Sequence, residues 1–333
     1  MGSLSDLADA QILVTGGLGF IGSNLALSLA DAGAKVRVLD ALIPRHGGDV
    51  RNIGDHENVS VTTGNIADGE LVATLLAGTD FVFNIAGQVS HHESMLDPLA
   101  DTDFNVTAQL KFLETVRRAR PTAAVVHTST RQVYGAAQYL PVDENHPTVP
   151  RDINGVNKLA GENYHRLYGT VHSMPTVSLR LTNVFGPRQC LNKPGLGFMP
   201  VFVSRVLRGE TLEVFGDGRQ QRDCLYVDDV IEALVAAALG VSTGRIPYGD
   251  VINLGHQEVL TLMEIAEKMS AMAQSGSFVK KTAWPEELAL IDIGGFAGDY
   301  SKAHRVLGWN PEVSFGDGLS RTFDFYRSNS WYL

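Results

Sequence analysis

The sequence predicts an α/β fold in which a doubly wound parallel sheet is accompanied by a smaller mixed α/β lobe. Over roughly the first 180 residues, short apolar runs alternate with amphipathic helical segments, which is the pattern of a parallel sheet covered on both faces. A glycine-rich turn joins the first apolar run to the first helix. Beyond Gly186 the alternation breaks down into a mixture of prolines, glycines, helices and short strands, which indicates the second lobe.

Length, charge and cysteine usage limit the possible functions. The 333 residues allow about two domains at ~150 residues each, and a net charge of −10 argues against a nucleic-acid partner. No apolar run approaches the ~18 residues of a membrane span and no signal segment is visible, so we expect no membrane partner and a cytoplasmic location. Cys190 and Cys224 provide neither a disulfide framework nor a recognisable metal site.

The first strand and helix, predicted at residues 11–15 and 23–32, enclose the turn GGLGFIG. Each glycine has a mechanical role in this pattern. Gly16 permits the tight turn, Gly19 lets the backbone approach a pyrophosphate, and Gly22 lets helix and strand pack closely. The phosphates of a dinucleotide would then bind at the N-terminus of the helix, where the N–H groups are unpaired.

The second strand, predicted at residues 35–39, ends in Asp40, which lies 18 residues after Gly22. An acid at this place is expected to accept hydrogen bonds from the adenosine ribose, and its charge repels a 2′-phosphate. Strand, glycines, helix, strand and acid occur in the order of a Rossmann-type nucleotide-binding unit. The cofactor expected from these residues is therefore NAD rather than NADP.

The alternation continues through the first lobe and then breaks. Further strands are predicted at residues 59–63, 81–85, 124–127 and 177–181, and helices at 69–77, 102–120 and 157–168. Another strand, at residues 251–255, is expected to rejoin the main sheet. The predicted domains are therefore interleaved, with residues 1–186 and about 250–258 binding NAD, and residues 187–249 and 259–333 binding the substrate.

Seven segments between residue 12 and about residue 310 together resemble the extended short-chain dehydrogenase/reductase family, the NAD-dependent sugar-nucleotide epimerases and dehydratases. They are TGGLGFIGSNL, NIAGQVS, HTSTRQVYG, NGVNKLAGE, LRLTNVFGPRQ, GDGRQQRDCLYVDDV and SKAHRVLGW, in the family's order and spacing. The resemblance implies the fold described above, a substrate lobe that binds a nucleotide sugar, and a homodimer formed through a four-helix bundle. The predicted helices 102–120 and 157–168 would contribute to that bundle.

The resemblance also implies which residues form the site. Those expected at the cofactor are Gly16, Gly19, Phe20, Ile21, Asp40, Asn65, Ile66, Ile85, Ala86, Gly87, Asn105 and Lys158. Those expected at the substrate are Gln88, Ser90, His91, Arg131, Asn183, Arg188 and Arg222. The catalytic positions are Thr130, Asn154 and Lys158, with Thr130 holding the sugar hydroxyl that is oxidised, and no metal is expected.

Asn154 is the departure from the family pattern, which has a tyrosine four residues before the lysine. A tyrosinate beside lysine accepts a hydroxyl proton, whereas a neutral amide does not. Three interpretations remain open. Another group, His91, His92, Lys158 or Tyr164, supplies the base; or the substrate is already a ketone or needs only α-deprotonation; or the protein binds NAD and a nucleotide sugar without turnover.

The two residues after Thr130 separate the activities within the family. According to the resemblance, the 4,6-dehydratases have an Asp-Glu pair there and the decarboxylating xylose synthases a glutamate, whereas this chain has Arg131 and Gln132. The hypothesis is therefore a nucleotide-sugar epimerase, an isomerase, that acts through a transient keto sugar. The alternatives are a keto-sugar reductase or another sugar-nucleotide modifying enzyme, and a non-catalytic binding protein.

Overall fold

The computed structural model describes residues 2–44, 46–191, 193, 195, 197–273 and 276–333. The strands are β1 (Gln11–Thr15), β2 (Lys35–Asp40), β3 (Val59–Thr63), β4 (Phe81–Asn84), β5 (Ala124–Thr130), β6 (Thr176–Leu181), β7 (Val184–Phe185), β8 (Leu212–Phe215), β9 (Gln221–Arg222), β10 (Leu225–Tyr226), β11 (Asp250–Asn253), β12 (Leu260–Thr261) and β13 (Val279–Thr282). The helices are α1 (Phe20–Asp31), α2 (Gly69–Leu75), α3 (His91–Leu96), α4 (Pro98–Thr102), α5 (Ala108–Ala119), α6 (Ile153–His172), α7 (Phe198–Leu207), α8 (Val227–Ser242), α9 (Leu262–Ala273), α10 (Glu286–Ile291), α11 (Ser301–Leu307) and α12 (Phe315–Ser328).

The main sheet has seven parallel strands in the order β11-β6-β5-β4-β1-β2-β3. The predicted α/β class with a doubly wound parallel sheet is confirmed. The chain proceeds outward from β1 through β2 to one edge and returns through β4 toward the other. Ligands of such sheets bind beyond the carboxyl ends of the two strands where the order reverses, here β1 and β4.

Alternating side chains of β1 show how the sheet is covered on both faces. Ile12 and Val14 pack into the larger apolar core together with residues of α1 and α8. Leu13 points to the opposite face and packs with residues of α5 and α6. Because both faces are buried, the strands of the sheet centre read as nearly continuous apolar runs rather than as alternating ones.

The second lobe is built from short paired strands and the later helices. Strand β8 pairs with β13 and β7 with β10, both in parallel, whereas β9 pairs with β12 antiparallel. The chain re-enters the main sheet at β11, which pairs with β6 from Asp250 opposite Val177 to Asn253 opposite Arg180. Within the described residues, every helix is too short or too polar to cross a lipid bilayer.

Two helices differ from the sequence prediction in ways that matter for the site. The helix predicted at residues 102–120 is α4, a π-helical segment (Asp103–Thr107) and α5. The helix predicted at residues 157–168 begins at Ile153, because the Asp152 side chain caps it by accepting a hydrogen bond from the Gly155 N–H at 2.6 Å. Its first turn therefore includes Asn154.

Candidate active site

The glycine turn after β1 is closed so tightly that only glycine fits. Gly16 has φ +66°, and a Cβ there would lie 2.9 Å from the Ala86 backbone. A Cβ on Gly22 would lie 2.2 Å from the Gly16 carbonyl oxygen. Gly19 is the N-cap of α1 and has no side chain to accept from the first-turn N–H groups. The first-turn N–H groups of α1 are therefore available to a ligand, and the turn is suited to the pyrophosphate of a dinucleotide.

A groove runs from this turn over the carboxyl ends of β1, β2 and β4. Ten of the predicted cofactor residues line it: Gly16, Gly19, Phe20, Ile21, Asp40, Asn65, Ile66, Ile85, Ala86 and Gly87. The Asp40 carboxylate accepts hydrogen bonds from the N–H groups of Leu18 at 3.0 Å and Leu42 at 2.8 Å, which fixes its position in the groove wall.

Several residues of the groove were not predicted from the sequence. They are Ala41, Ile43, His46, Gly47, Gly48, Phe104, Ala108, Gln189 and Cys190. Most of them come from the loop after β2 and from the segment after β7, which reach the groove only through the tertiary fold. Three of them adjoin residues predicted from the sequence: Phe104 precedes Asn105, Ala41 follows Asp40, and Gln189 follows Arg188.

The Asn154 side chain is directed into the protein. It is 1% exposed, and its amide nitrogen lies 3.0 Å from the Gln88 carbonyl oxygen, 2.9 Å from Gln88 Oε1 and 3.0 Å from Asp101 Oδ2. Its backbone N–H donates to Ser94 Oγ at 3.1 Å. Gln88, predicted to contact substrate, is 4% exposed and is held in this network, although it also borders the groove.

Asp101 is the residue of this network that the sequence analysis missed. Its carboxylate is 1% exposed and accepts from the amides of Asn105 at 3.1 Å, Asn157 at 2.8 Å and Asn154. Three amide donors offset part of the cost of burying a charge. The available signal was the i, i+4 spacing of Asp101 and Asn105, two polar residues on the buried side of an otherwise amphipathic segment. The Asn105 side chain also bonds the Gln88 backbone, so it supports the groove wall from behind.

Lys158 lies one helical turn after Asn154 on the same buried face of α6. A Cβ added to Gly87 would lie 2.5 Å from Lys158 Nζ, so the amine sits against the backbone that forms the groove wall. Burial lowers the pKa of Lys158 to about 8, and the charge of Asp101 opposes this shift in part. With a pKa of about 8, about a tenth of the amine would be neutral at pH 7.

The residues after β4 form the start of α3 and pack against the start of α6. Ser90 is 1% exposed and caps α3 by accepting from the Glu93 N–H at 3.2 Å. His91 Nδ1 lies 3.0 Å from Asp152 Oδ2, an ion-pair distance to a carboxylate that is 1% exposed. His92 is partly exposed on α3, and Tyr164 packs at the edge of the core between α5 and α6, away from Asn154.

Thr130, Arg131 and Gln132 lie where β5 ends and a 3-10 turn, Arg131–Tyr134, begins. Thr130 Oγ1 accepts from the Gln132 N–H at 3.3 Å, which orients the hydroxyl at the strand end. Arg131 points toward the second lobe, where its guanidinium lies 5.4 Å from the centre of the Phe296 ring. Burial and the neighbouring Arg222 charge lower the pKa of Arg131 to about 9.

Polar atoms between the lobes are buried without a hydrogen-bond partner among the described residues. They include Arg131 Nη1, Gln132 Oε1, Asn183 Oδ1 and Arg222 Nε. The rest of the Arg222 guanidinium is held in place, since Nη1 donates to the carbonyl oxygens of Gln221 at 2.7 Å and Gly294 at 2.6 Å. Buried polar atoms are normally paired, so this set points to a polar ligand.

Arg188 lies apart from that set. Its guanidinium donates to the Asn52 carbonyl oxygen at 3.2 Å and to Asn24 Oδ1 at 2.8 Å, and it stacks 5.3 Å from the Phe325 ring. These contacts tie the segment after β7 to the first lobe. Within the described residues there is no group of histidine, cysteine, aspartate and glutamate side chains suited to a metal ion.

Comparison with known proteins gives consistent results over nearly the whole chain. The family model of the NAD dependent epimerase/dehydratase family matches residues 12–255. The UDP-glucose 4-epimerase of Mycolicibacterium smegmatis is 31% identical over 322 residues, which cover 96% of this chain and 99% of the relative. The dTDP-glucose 4,6-dehydratase of Streptomyces niveus is 31% identical over 336 residues, with 97% and 94% covered.

The fold is shared with solved structures as well. The UDP-N-acetylglucosamine 4-epimerase from Methanobrevibacter ruminantium, in complex with UDP-N-acetylmuramic acid, superposes with a TM-score of 0.87 at 28% identity. The match covers 97% of this chain and 99% of that one. Both lobes therefore have counterparts in that structure.

Proposed function

Because the chain belongs to the NAD-dependent epimerase/dehydratase family, and is an enzyme of that type, we propose that it epimerises a nucleoside diphosphate sugar through a transient keto sugar. The 3-10 turn after Thr130 carries this proposal. It presents Arg131 and Gln132 and has no carboxylate to protonate a leaving hydroxyl or to remove a proton from carbon. That composition favours epimerisation over dehydration.

The residues of the groove suit NAD. The glycine turn and the N-terminus of α1 would hold the pyrophosphate, and Asp40 would accept from the adenosine ribose while repelling a 2′-phosphate. When bound, NAD supplies a hydride acceptor that later returns the hydride to the sugar. The unpaired Asn183 Oδ1 and Arg222 Nε would hold the nucleoside diphosphate end of the substrate across the cleft.

Lys158 is the group we assign as proton acceptor in place of the missing tyrosine. The Asn154 amide is a donor to Gln88 and Asp101 and has no basic lone pair to offer. Lys158 Nζ lies against Gly87 at the groove, and its lowered pKa of about 8 makes the neutral amine accessible. The neutral amine takes the proton of the sugar hydroxyl held by Thr130 and returns it when the ketone is reduced.

The test is incubation of the NAD-loaded protein with UDP-, dTDP-, GDP- and CDP-sugars in deuterated water, followed by NMR. Epimerisation at the oxidised carbon retains the migrating hydrogen, whereas epimerisation beside the ketone incorporates deuterium. Stoichiometric consumption of NADH or NADPH would instead identify a keto-sugar reductase. If a sugar that demonstrably binds shows neither conversion nor deuterium exchange, only the non-catalytic alternative remains.

The same assay, run from pH 6 to 9.5, tests the base. We expect the first-order rate at saturating sugar to rise through about pH 8 and then level, because the reactive form of Lys158 is the deprotonated one. Lys158→Arg keeps the charge but does not deprotonate in this range, and it should abolish turnover while NAD stays bound. A rate that is independent of pH across this range contradicts the assignment.

We further propose that the protein is a homodimer that acts in the cytoplasm. Helices α5 and α6 pack side by side on one face of the sheet and share the smaller apolar core. Their outward sides carry exposed aliphatic residues, among them Leu110, Val156, Leu167 and Val171. A second copy would cover this surface. Cys224 is a buried free thiol, which agrees with a reducing compartment.

A further inference from the structure

Arg131 holds a positive charge in a place where the protein supplies no matching anion. Its Nη1 has neither solvent contact nor a hydrogen-bond partner among the described residues, and no carboxylate of that part of the chain lies within 4 Å of its guanidinium. Arg131 as a whole is partly buried, but a guanidinium nitrogen that has neither water nor a partner is costly, so the group is expected to have a partner in the functional state.

The two acidic residues near Arg131, Asp223 and Asp292, accept hydrogen bonds from other groups. Asp223 accepts from the Thr182 hydroxyl and from the Gly298 N–H at 2.8 Å, and burial raises its pKa to about 6. Asp292 lies 3.9 Å from Arg222 Nη2 and accepts from the Gly294 N–H at 2.9 Å. Neither carboxylate pairs with Arg131, and Asp223 carries a reduced charge near pH 6.

The two arginines, Arg131 and Arg222, differ in their placement. Arg222 lies in β9 of the second lobe beside the proposed diphosphate end of the substrate. Arg131 is adjacent in the chain to Thr130, which we assign to the reacting sugar hydroxyl, and its guanidinium is steadied by the Phe296 ring. The charge of Arg131 is therefore available to the sugar end, together with the unpaired Gln132 Oε1.

We propose that Arg131 binds a carboxylate on the sugar ring, so that the substrate is a nucleoside diphosphate hexuronate rather than a neutral hexose. The planar guanidinium matches a carboxylate with two parallel hydrogen bonds, which lysine or glutamine does not reproduce. A neutral hexose would leave the partly buried guanidinium without an anionic partner. The inference rests on the proposed function and names the substrate class of the same site.

The experiment uses three probes on the NAD-loaded full chain by titration calorimetry: UDP, UDP-glucose and UDP-glucuronate. The two sugars differ only at C6. We expect UDP-glucuronate to bind at least about tenfold more tightly than UDP-glucose, in line with a charge-assisted hydrogen-bond pair. Arg131→Gln should remove this preference and leave the affinity for UDP within about twofold, whereas Arg222→Gln should weaken all three ligands.

Controls address folding and surface charge. Arg131→Lys keeps the charge and loses the planar fork, so it should retain a smaller preference if the glutamine variant proves unstable. Arg219→Gln removes an arginine whose side chain is 87% exposed and should change nothing. The proposal is overturned if wild-type protein shows no preference, if neither sugar binds better than UDP, or if Arg131→Gln weakens UDP as much as UDP-glucuronate.

The outcome is separable from that of the proposed function. An Arg131-dependent preference without turnover would refute the epimerase and leave the carboxylate site standing. Turnover of neutral sugars at a rate that Arg131→Gln does not alter would leave the epimerase and refute the carboxylate site. Conversion of UDP-glucuronate that depends on Arg131 supports both.

Discussion

At the scale of one residue, Asn154 is bound to the buried carboxylate of Asp101. Its amide donates toward Asp101 Oδ2 at 3.0 Å, and Asp101 in turn is held by Asn105 and Asn157. A carboxylate buried among amide donors is stable only while those groups remain donors. Asn154 is thus a structural partner of Asp101, and the two residues depend on each other.

Asn154→Asp tests this dependence because it replaces the donor by a second carboxylate. Two carboxylates about 3 Å apart cannot both ionise, so the folded state holds a proton that the unfolded state releases above a carboxyl pKa of ~4. The stability of the variant relative to wild type should therefore fall as pH rises from 5 to 8. If the carboxyl pKa rises by about two units, from ~4 to ~6, the total loss of stability is about 3 kcal/mol, of which about 1.4 kcal/mol falls between pH 5 and pH 8. Urea unfolding at the two pH values measures this.

The matched control is Asn310→Asp, at an exposed asparagine outside helices α5 and α6. It should change the free energy of unfolding by less than about 0.5 kcal/mol at either pH. If Asn154→Asp behaves like Asn310→Asp, the amide contact with Asp101 has no energetic importance.

Residues inside a local motif were predictable, and residues brought together by the fold were not. Gly16, Asp40 and Lys158 belong to short patterns whose spacing has a mechanical reason, and the structure places the first two in the groove and the third at its wall. The approach of Arg131 to Arg222, and of His91 to Asp152, joins segments far apart in the chain. No periodicity in the sequence predicts such tertiary contacts.

At the scale of elements, the turn between β1 and α1 sets the position of the whole cofactor groove. A methyl group on Gly22 would lie 2.2 Å from the Gly16 carbonyl oxygen and 2.8 Å from the Gly17 Cα, both backbone atoms that cannot move independently. Gly22→Ala should push the first turn of α1 away from β1. We expect loss of co-purifying NAD, measured as cofactor released on denaturation, and a destabilisation of about 1–3 kcal/mol.

Gly316→Ala is the corresponding control, because a methyl group on this helical glycine of α12 would have no neighbouring atom within 4 Å among the described residues. It should leave NAD content unchanged and stabilise the protein by up to about 1 kcal/mol, since alanine favours helix more than glycine. Equal NAD content in both variants would show that the close packing at Gly22 is not what shapes the groove.

The positions of most strands and helices followed from apolar periodicity, but two boundaries depended on tertiary contacts. Helix α6 starts at Ile153 because the Asp152 cap is itself buried against His91, a contact invisible in the sequence. The π-helical segment Asp103–Thr107 interrupts a pattern that reads as one amphipathic helix. It turns Asn105 toward the Gln88 backbone, and this interaction, rather than helical propensity, accounts for its place in the site.

At the scale of the whole molecule, the chain connects the two lobes more than once, because it leaves the main sheet and later returns to it. The chain leaves the sheet after β6, builds most of the second lobe and returns to the sheet edge as β11. The interleaved division that we predict from the sequence, with residues 250–258 assigned to the first lobe, remains our proposal for the domains. The unpaired polar atoms lie where the lobes meet, so neither lobe alone would form the proposed substrate site.

The proposed dimer depends on a surface that helices α5 and α6 form together. Helices α5 and α6 cover the same face of the sheet, so their exposed aliphatic residues lie on one surface; Leu167 is 49% and Val171 63% exposed. Pairing this surface with a second copy would remove it from water. Leu167→Glu places one charge from each copy in the interface and should raise the dimer dissociation constant by more than about tenfold. Light scattering over a dilution series measures the mass.

Leu290→Glu, at a residue of α10 that is 71% exposed, should leave the mass unchanged, because α10 lies in the second lobe away from this surface. A wild-type mass of one chain at all concentrations, or equal dissociation of both variants, contradicts the proposed interface. Because Leu167 is already half exposed in one chain, the free energy of unfolding of the separated subunits should change little, which distinguishes lost association from lost folding.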